Sequence, residues 1–112
     1  MARMPEITSK ADLPEDKQHI FDAITQTRGS VGVPFSLLLQ SPEVAGRIAN
    51  IGTYLRFACA VPQGERELAV LTCAREFDCE YEWSAYVLFA RRAGVREEVI
   101  DVIGHRRPLD SL

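Results

Sequence analysis

Apolar residues recur every three to four positions in segment after segment of this chain, and each segment ends near a proline or a glycine. That period is the mark of helices with one buried face. No stretch of useful length alternates at period two, so strands are not expected. The first helix is predicted to open at Leu13-Pro14-Glu15-Asp16, where proline suits the first turn and the acids complement the helix dipole. Ile20, Phe21 and Ile24 form its stripe and Gly29 ends it. The segment Pro34-Phe35-Ser36-Leu37-Leu38-Leu39 predicts a turn or two of helix. Ser41-Pro42-Glu43 is a further start signal, with a capping serine, proline at the first helical position and then an acid. Val44, Ile48, Ile51, Leu55 and Cys59 then mark the face expected to be buried. Gly46 and Gly52 lie inside this helix, and each costs up to about 1 kcal/mol relative to alanine, which implies close helix packing.

After the break at Pro62-Gln63-Gly64, the helix holding Glu67 to Ala74 is apolar nearly all round and is expected to be central. A mostly polar patch, Arg75-Glu76-Phe77-Asp78, leads to a helix from Cys79 to Ala93, which Gly94 ends. Arg96 to Ile103 predicts a last short amphipathic helix stopped by Gly104. Met1 to Ala11 reads as an irregular arm. Pro108-Leu109-Asp110-Ser111-Leu112 resembles the opening of another helix, with Asp110 or Ser111 as its cap. The expectation is an all-α bundle of five to six helices. Residues 1–112 would form one domain, which is either whole or the N-terminal part of a longer fold.

Composition narrows the function classes. A single domain is the natural expectation for 112 residues. The 46% apolar content is ample for so short a chain, which leaves apolar surface for a partner subunit. Net charge is -3 with acids and bases interspersed, and the two lysines, Lys10 and Lys17, belong to no cluster. Neither a nucleic-acid partner nor a membrane partner is therefore expected. No run of 18 apolar residues exists, and the N-terminus lacks the apolar core of a signal peptide. Cys59, Cys73 and Cys79 are odd in number and irregular in spacing, which fits a reducing, cytoplasmic setting. Cys59 and Cys73 are expected in the core, His19 and His105 at the surface. No metal-ligand spacing joins the histidines to a cysteine or acid, so no metal or other cofactor is expected.

The chemistry-bearing segment is Cys79-Glu80-Tyr81-Glu82-Trp83-Ser84-Ala85-Tyr86. On a helix, Cys79, Glu82 and Tyr86 fall at i, i+3 and i+7 and share a face that continues into Phe89 and Ala90, so the thiol, carboxyl and phenol are expected to point inward. One helix earlier, Glu67 shares its stripe with Val70, Leu71 and Ala74. An acid on such a stripe is costly unless partnered. Burial disfavours the charged form of a carboxylate, and general acid–base groups are tuned this way. Glu67 facing the Cys79, Glu82 and Tyr86 stripe would bring two carboxyl groups close enough to share a proton. The competing reading is a structural ion pair between Glu67 and a buried arginine such as Arg56 or Arg75. For Cys79 the competing reading is a small buried hydrophobe.

The stretch Glu65-Arg66-Glu67-Leu68-Ala69-Val70-Leu71, with Ala74-Arg75, Cys79-Glu80-Tyr81-Glu82-Trp83 and Arg91-Arg92-Ala93-Gly94, resembles the carboxymuconolactone decarboxylase family. Gly32-Val33-Pro34-Phe35, Leu39-Gln40-Ser41-Pro42-Glu43 and Tyr54-Leu55-Arg56-Phe57 extend the resemblance upstream. The related alkylhydroperoxidases use a glutamate, a Cys-x-x-Cys pair and a histidine. By that resemblance Glu67 matches the glutamate and Cys79 the first cysteine. Glu82 stands where the second cysteine would be, and Tyr86 where the histidine would be. A carboxylate cannot resolve a disulfide, so disulfide-based peroxidase chemistry is not expected. Decarboxylase-type members commonly carry Tyr-Glu-Trp with a histidine at the position of Tyr86. Tyr86 lacks that near-neutral titration and suits a hydrogen-bond donor instead.

Two expectations follow. In the first, the chain is an enzyme acting on a small organic acid, lactone or peroxide. Glu67 or Glu82 would be its acid–base group, Tyr86 a donor to substrate and Cys79 a pocket-wall or redox residue. In the second, it is a non-catalytic helical homo-oligomer that keeps the family fold, with the apolar runs Leu37-Leu38-Leu39 and Val87-Leu88-Phe89 buried between copies.

Overall fold

The computed structural model describes residues 3–112, so only Met1 and Ala2 of the N-terminal arm lie outside the described residues. Six α-helices and three single 3-10 turns make up the described chain, with no strand among the described residues. The helices are α1 (Gln18–Arg28), α2 (Val33–Leu38), α3 (Pro42–Phe57), α4 (Gln63–Glu76), α5 (Glu80–Arg92) and α6 (Glu97–Gly104). The all-α expectation is met, and no helix among the described residues is long and apolar enough to cross a membrane. The helices fall into two compact units, Met1–Cys59 and Ala60–Leu112.

In the first unit, the turn Glu15–Lys17 leads into α1, and Gly29 closes it with φ 80°, a left-handed conformation that glycine adopts without a Cβ penalty. The core gathers Ile7, Leu13, Ile24, Leu39, Ala45 and Ala49. The arm is tied to it, since the Ile7 N–H donates to the Ser36 carbonyl at 2.9 Å and the Gln40 amide to the Pro5 carbonyl at 2.7 Å. Helices α1 and α3 approach closely because α3 offers small residues. A Cβ on Gly46 would stand 3.3 Å from Ile20 Cγ2, and one on Gly52 would stand 2.7 Å from Arg28 Nη2. Arg28 lies over the Phe35 ring at 4.7 Å and donates to the Ala49 carbonyl at 3.3 Å.

The buried face of α3 is therefore Ala45 and Ala49, not the expected row of large residues. Val44, Ile48, Ile51 and Leu55 are between 42% and 61% exposed, and Cys59 is half-buried. Close approach explains the reversal: α1 seats against the alanine and glycine side, where backbones can come near, and the bulky stripe faces outward. Ser41 precedes α3 as expected, but its side chain makes no capping hydrogen bond. The α2 run turns inward, with Leu39 fully buried and Leu37 and Leu38 half-buried, so it is not an exposed patch.

In the second unit, α4 and α5 form a hairpin around the short connection through Phe77, Asp78 and Cys79, and α6 packs on both. The start of α4 meets the end of α5: a Cβ on Gly64 would lie 3.7 Å from Val95 Cγ2 and 3.8 Å from the Ala93 carbonyl. Leu71, Ala90 and Ile100 form the core, with Trp83, Tyr86, Val87, Val95 and Ile103 against it. Complete burial of a side chain such as Leu71 stabilises by roughly 1.5–3 kcal/mol. Gly94 ends α5 with φ 82°. Helix α4 is buried on one face only, at Glu67, Leu71 and Ala74, while Ala69 and Cys73 are exposed. This corrects the core placement expected for Cys73, while α4 still packs on both α5 and α6. An apolar sequence marks faces that tolerate burial, not the face that a neighbour covers. His19 and His105 are exposed, as expected. The tail forms one 3-10 turn, Leu109–Ser111.

Candidate functional site

All four candidate residues lie on the α4–α5 hairpin of the second unit. Glu67 sits one turn into α4 on the stripe that continues through Leu71 and Ala74, and it is only 4% exposed. Its ion-pair partner is the adjacent Arg66, whose Nη2 stands 3.5 Å from Oε1, rather than Arg56 or Arg75. The second oxygen, Oε2, is buried and has no hydrogen-bond partner. Leaving a buried acceptor unpaired costs about 1–3 kcal/mol, more for a charged group.

Cys79 occupies the cap position of α5 and is half-buried. Its N–H donates to the Ala74 carbonyl at 2.8 Å, and its carbonyl accepts from the Trp83 N–H at 3.0 Å. These two bonds fix the thiol where α4 ends and α5 begins. Glu82 lies in the first turn of α5, where the dipole favours an acid, and is half-buried. Tyr86 is half-buried, packs against the core of Leu71, Ala90 and Ile100, and meets the Phe89 ring edge-on at 5.3 Å. That core includes Leu71, the residue one turn beyond Glu67 on α4. No hydrogen bond or ion pair joins Glu67 to Cys79, Glu82 or Tyr86 among the described residues. Trp83 packs on the core and Tyr81 is exposed.

Two supports of the hairpin were not singled out in the sequence. Asp78 has φ 50°, a left-handed conformation that costs a non-glycine residue roughly 1–2 kcal/mol, and its Oδ1 accepts from Arg75 Nη1 at 3.0 Å and Arg106 Nη2 at 3.2 Å. Arg106 also donates to the Arg75 carbonyl at 2.7 Å, so the segment after α6 clamps the turn that carries Cys79. No local pattern in the sequence announces this clamp, because its two ends are 28 residues apart. At the far end, Arg91 Nε and Nη2 both engage the Glu97 carboxylate, the second at 3.2 Å, which closes the α5–α6 corner. Arg91's hydrogen bond, and then its charge against the opposing burial, holds the Glu97 carboxyl below the ordinary glutamate range. Arg106 and Arg91 are thus clamps of the fold.

No group of three or more histidine, cysteine, aspartate or glutamate side chains among the described residues could hold a metal ion. The hairpin instead offers a buried carboxylate with a free oxygen, a phenol on the same core, and a thiol and second carboxyl nearer the turn. Such a set can move protons.

No curated protein and no solved structure matches the chain. The family model described as the carboxymuconolactone decarboxylase family matches residues 42–110, well over half of the sequence, and the chain belongs to that family.

Proposed function

We propose that this chain acts on a small organic acid, lactone or peroxide by acid–base chemistry centred on Glu67. The reading is carried by one observation: a carboxylate only 4% exposed whose Oε2 has no partner. Buried polar atoms in structural roles are almost always hydrogen-bonded. An unpaired carboxylate oxygen against an apolar stripe is the arrangement that catalytic acids use. Glu67 takes a proton from the substrate and returns it. Tyr86 donates a hydrogen bond to the substrate oxygen that gains charge. Glu82 is the second carboxyl, and Cys79 lines the pocket.

Among the three substrate classes, organic acids and lactones fit these groups best. Cys79 has a carboxylate three residues on instead of a second thiol, so a peroxide has no local disulfide through which to be reduced. Glu67→Gln keeps the shape and removes proton transfer. Turnover of a panel of unsaturated organic acids and lactones, followed by their ultraviolet absorbance, should fall by about 10²–10⁴-fold in this variant with little change in substrate binding. Blocking the thiols should leave most of the activity. Unchanged turnover in Glu67→Gln on every substrate that the wild type converts would overturn the reading.

A further inference from the structure

Two non-glycine residues among the described residues have a left-handed backbone, Asp78 at φ 50° and Arg106 at φ 51°. They occupy the same place in two different helix ends. After α4, the Asp78 N–H donates to the Arg75 carbonyl at 3.2 Å and the Cys79 N–H to the Ala74 carbonyl at 2.8 Å. After α6, the Arg106 N–H donates to the Ile103 carbonyl at 3.1 Å and the Arg107 N–H to the Val102 carbonyl at 2.9 Å. Each pair of bonds is a closing turn whose left-handed residue is usually glycine. Gly94 fills that position after α5. At Asp78 and Arg106 a side chain stands there instead, and the two side chains bond to each other. Arg106 Nη2 donates to Asp78 Oδ1 at 3.2 Å and to the Arg75 carbonyl at 2.7 Å.

We propose that this pair is a latch on the turn that carries Cys79, held shut by Arg106 and able to open while the rest of the second unit stays folded. Both backbones lie in a region disfavoured for residues with a side chain. The ion pair that opposes this cost joins side chains 66% and 48% exposed, where water and salt weaken it. Phe77, Asp78 and Glu80 are exposed, so the turn buries little apolar surface. Segments held by exposed polar bonds are the ones that open first. Arg75 belongs to α4 and moves with it, so Arg106 is what ties the turn to another helix. When Arg106 lets go, Asp78 relaxes out of the left-handed region. That breaks the adjoining bond from Cys79 to Ala74, and the thiol meets solvent.

The latch stands apart from the catalytic reading and needs no turnover by Glu67. Its readout is the alkylation rate of Cys79 by iodoacetamide in a Cys59→Ser/Cys73→Ser chain, where Cys79 is the one remaining thiol. Arg106→Gly removes the donor but supplies the residue that a left-handed position favours, so thermal unfolding should occur at the same temperature or above. Alkylation should nevertheless run about tenfold faster, because the turn opens more often. Sodium chloride at about 1 M should speed the parent chain and leave Arg106→Gly unchanged. Arg107→Gln loses an ion pair to Asp101 but nothing at the turn, and should label at the parent rate. An Arg106→Gly rate within about twofold of the parent, a faster rate that comes only with a lower unfolding temperature, equal salt effects in both chains, or the same acceleration in Arg107→Gln would each overturn the proposal.

Discussion

Arg66 stands 3.5 Å from one carboxylate oxygen of Glu67, and the other oxygen of that group is buried with no partner. Such an acid holds the fold together poorly. Leucine has a similar volume and would occupy the same stripe as Leu71 and Ala74. Glu67→Leu is therefore expected to stabilise the chain by about 1–3 kcal/mol, the cost of an unsatisfied buried polar group, while abolishing turnover. Urea denaturation gives the first quantity. A loss of stability would make Glu67 a structural anchor.

Two glycines separate rigid from yielding neighbours. A Cβ on Gly104 would lie 3.1 Å from Trp83 Cζ2 and 3.3 Å from Cη2. The indole packs against the core of Leu71, Ala90 and Ile100, so Gly104→Ala should destabilise by about 1–2 kcal/mol, as overpacking does. A Cβ on Gly52 meets only the far end of Arg28, a flexible side chain that can shift but would give up its bond to the Ala49 carbonyl. Gly52→Ala should be close to neutral, because up to about 1 kcal/mol of helix propensity offsets that loss. Chemical denaturation of both variants should rank them in this order, and the reverse order would refute the account.

Asp78 combines a left-handed backbone with two arginine contacts. Asparagine tolerates that backbone and keeps an acceptor oxygen, whereas alanine does neither. Asp78→Ala should cost about 1–2 kcal/mol, and Asp78→Asn less than half as much. Thermal unfolding of the pair tests this. Equal losses would mean that charge alone matters at the turn.

The Lys17 Nζ donates to Glu43 Oε1 at 2.8 Å and joins the turn before α1 to the first turn of α3. That hydrogen bond, then the lysine's charge, lowers the Glu43 carboxyl below the ordinary range, and the same contact raises Lys17. With a lowered acid, the stabilisation is present above the unfolded-state value and is lost as pH falls through the folded one. With a raised lysine, it is present below the unfolded-state value and is lost as pH rises through the folded one. The contact should therefore persist across the neutral range and fail in acid and in strong alkali. A carboxyl NMR titration should show the Glu43 midpoint moving up in Lys17→Met. No movement would mean that the contact does not form in solution.

Helix boundaries were legible because they are chemical: Pro14 and Gly29 bracket α1 and its leading turn, Ser41-Pro42 opens α3, and Gly94 ends α5. The burial of Glu67 on the stripe of Leu71 and Ala74 could also be read from spacing. What spacing could not tell was which face of an apolar helix is covered. On α3 the larger residues pointed one way, while the smaller ones set the distance at which α1 could sit. The same reasoning misplaced Cys73, which lies on the uncovered side of α4. The clamp from Arg106 to Asp78 spans 28 residues, and no local pattern announces it.

Trp83 is the sole indole in the chain and is seated in the core of Ala60–Leu112, so its emission reports the melting of that half. Far-ultraviolet dichroism sees the helices of both halves. Overlaid curves from the two probes would mean that the halves come apart as one cooperative body, and a lag between them would mean that each carries its own thermodynamic account.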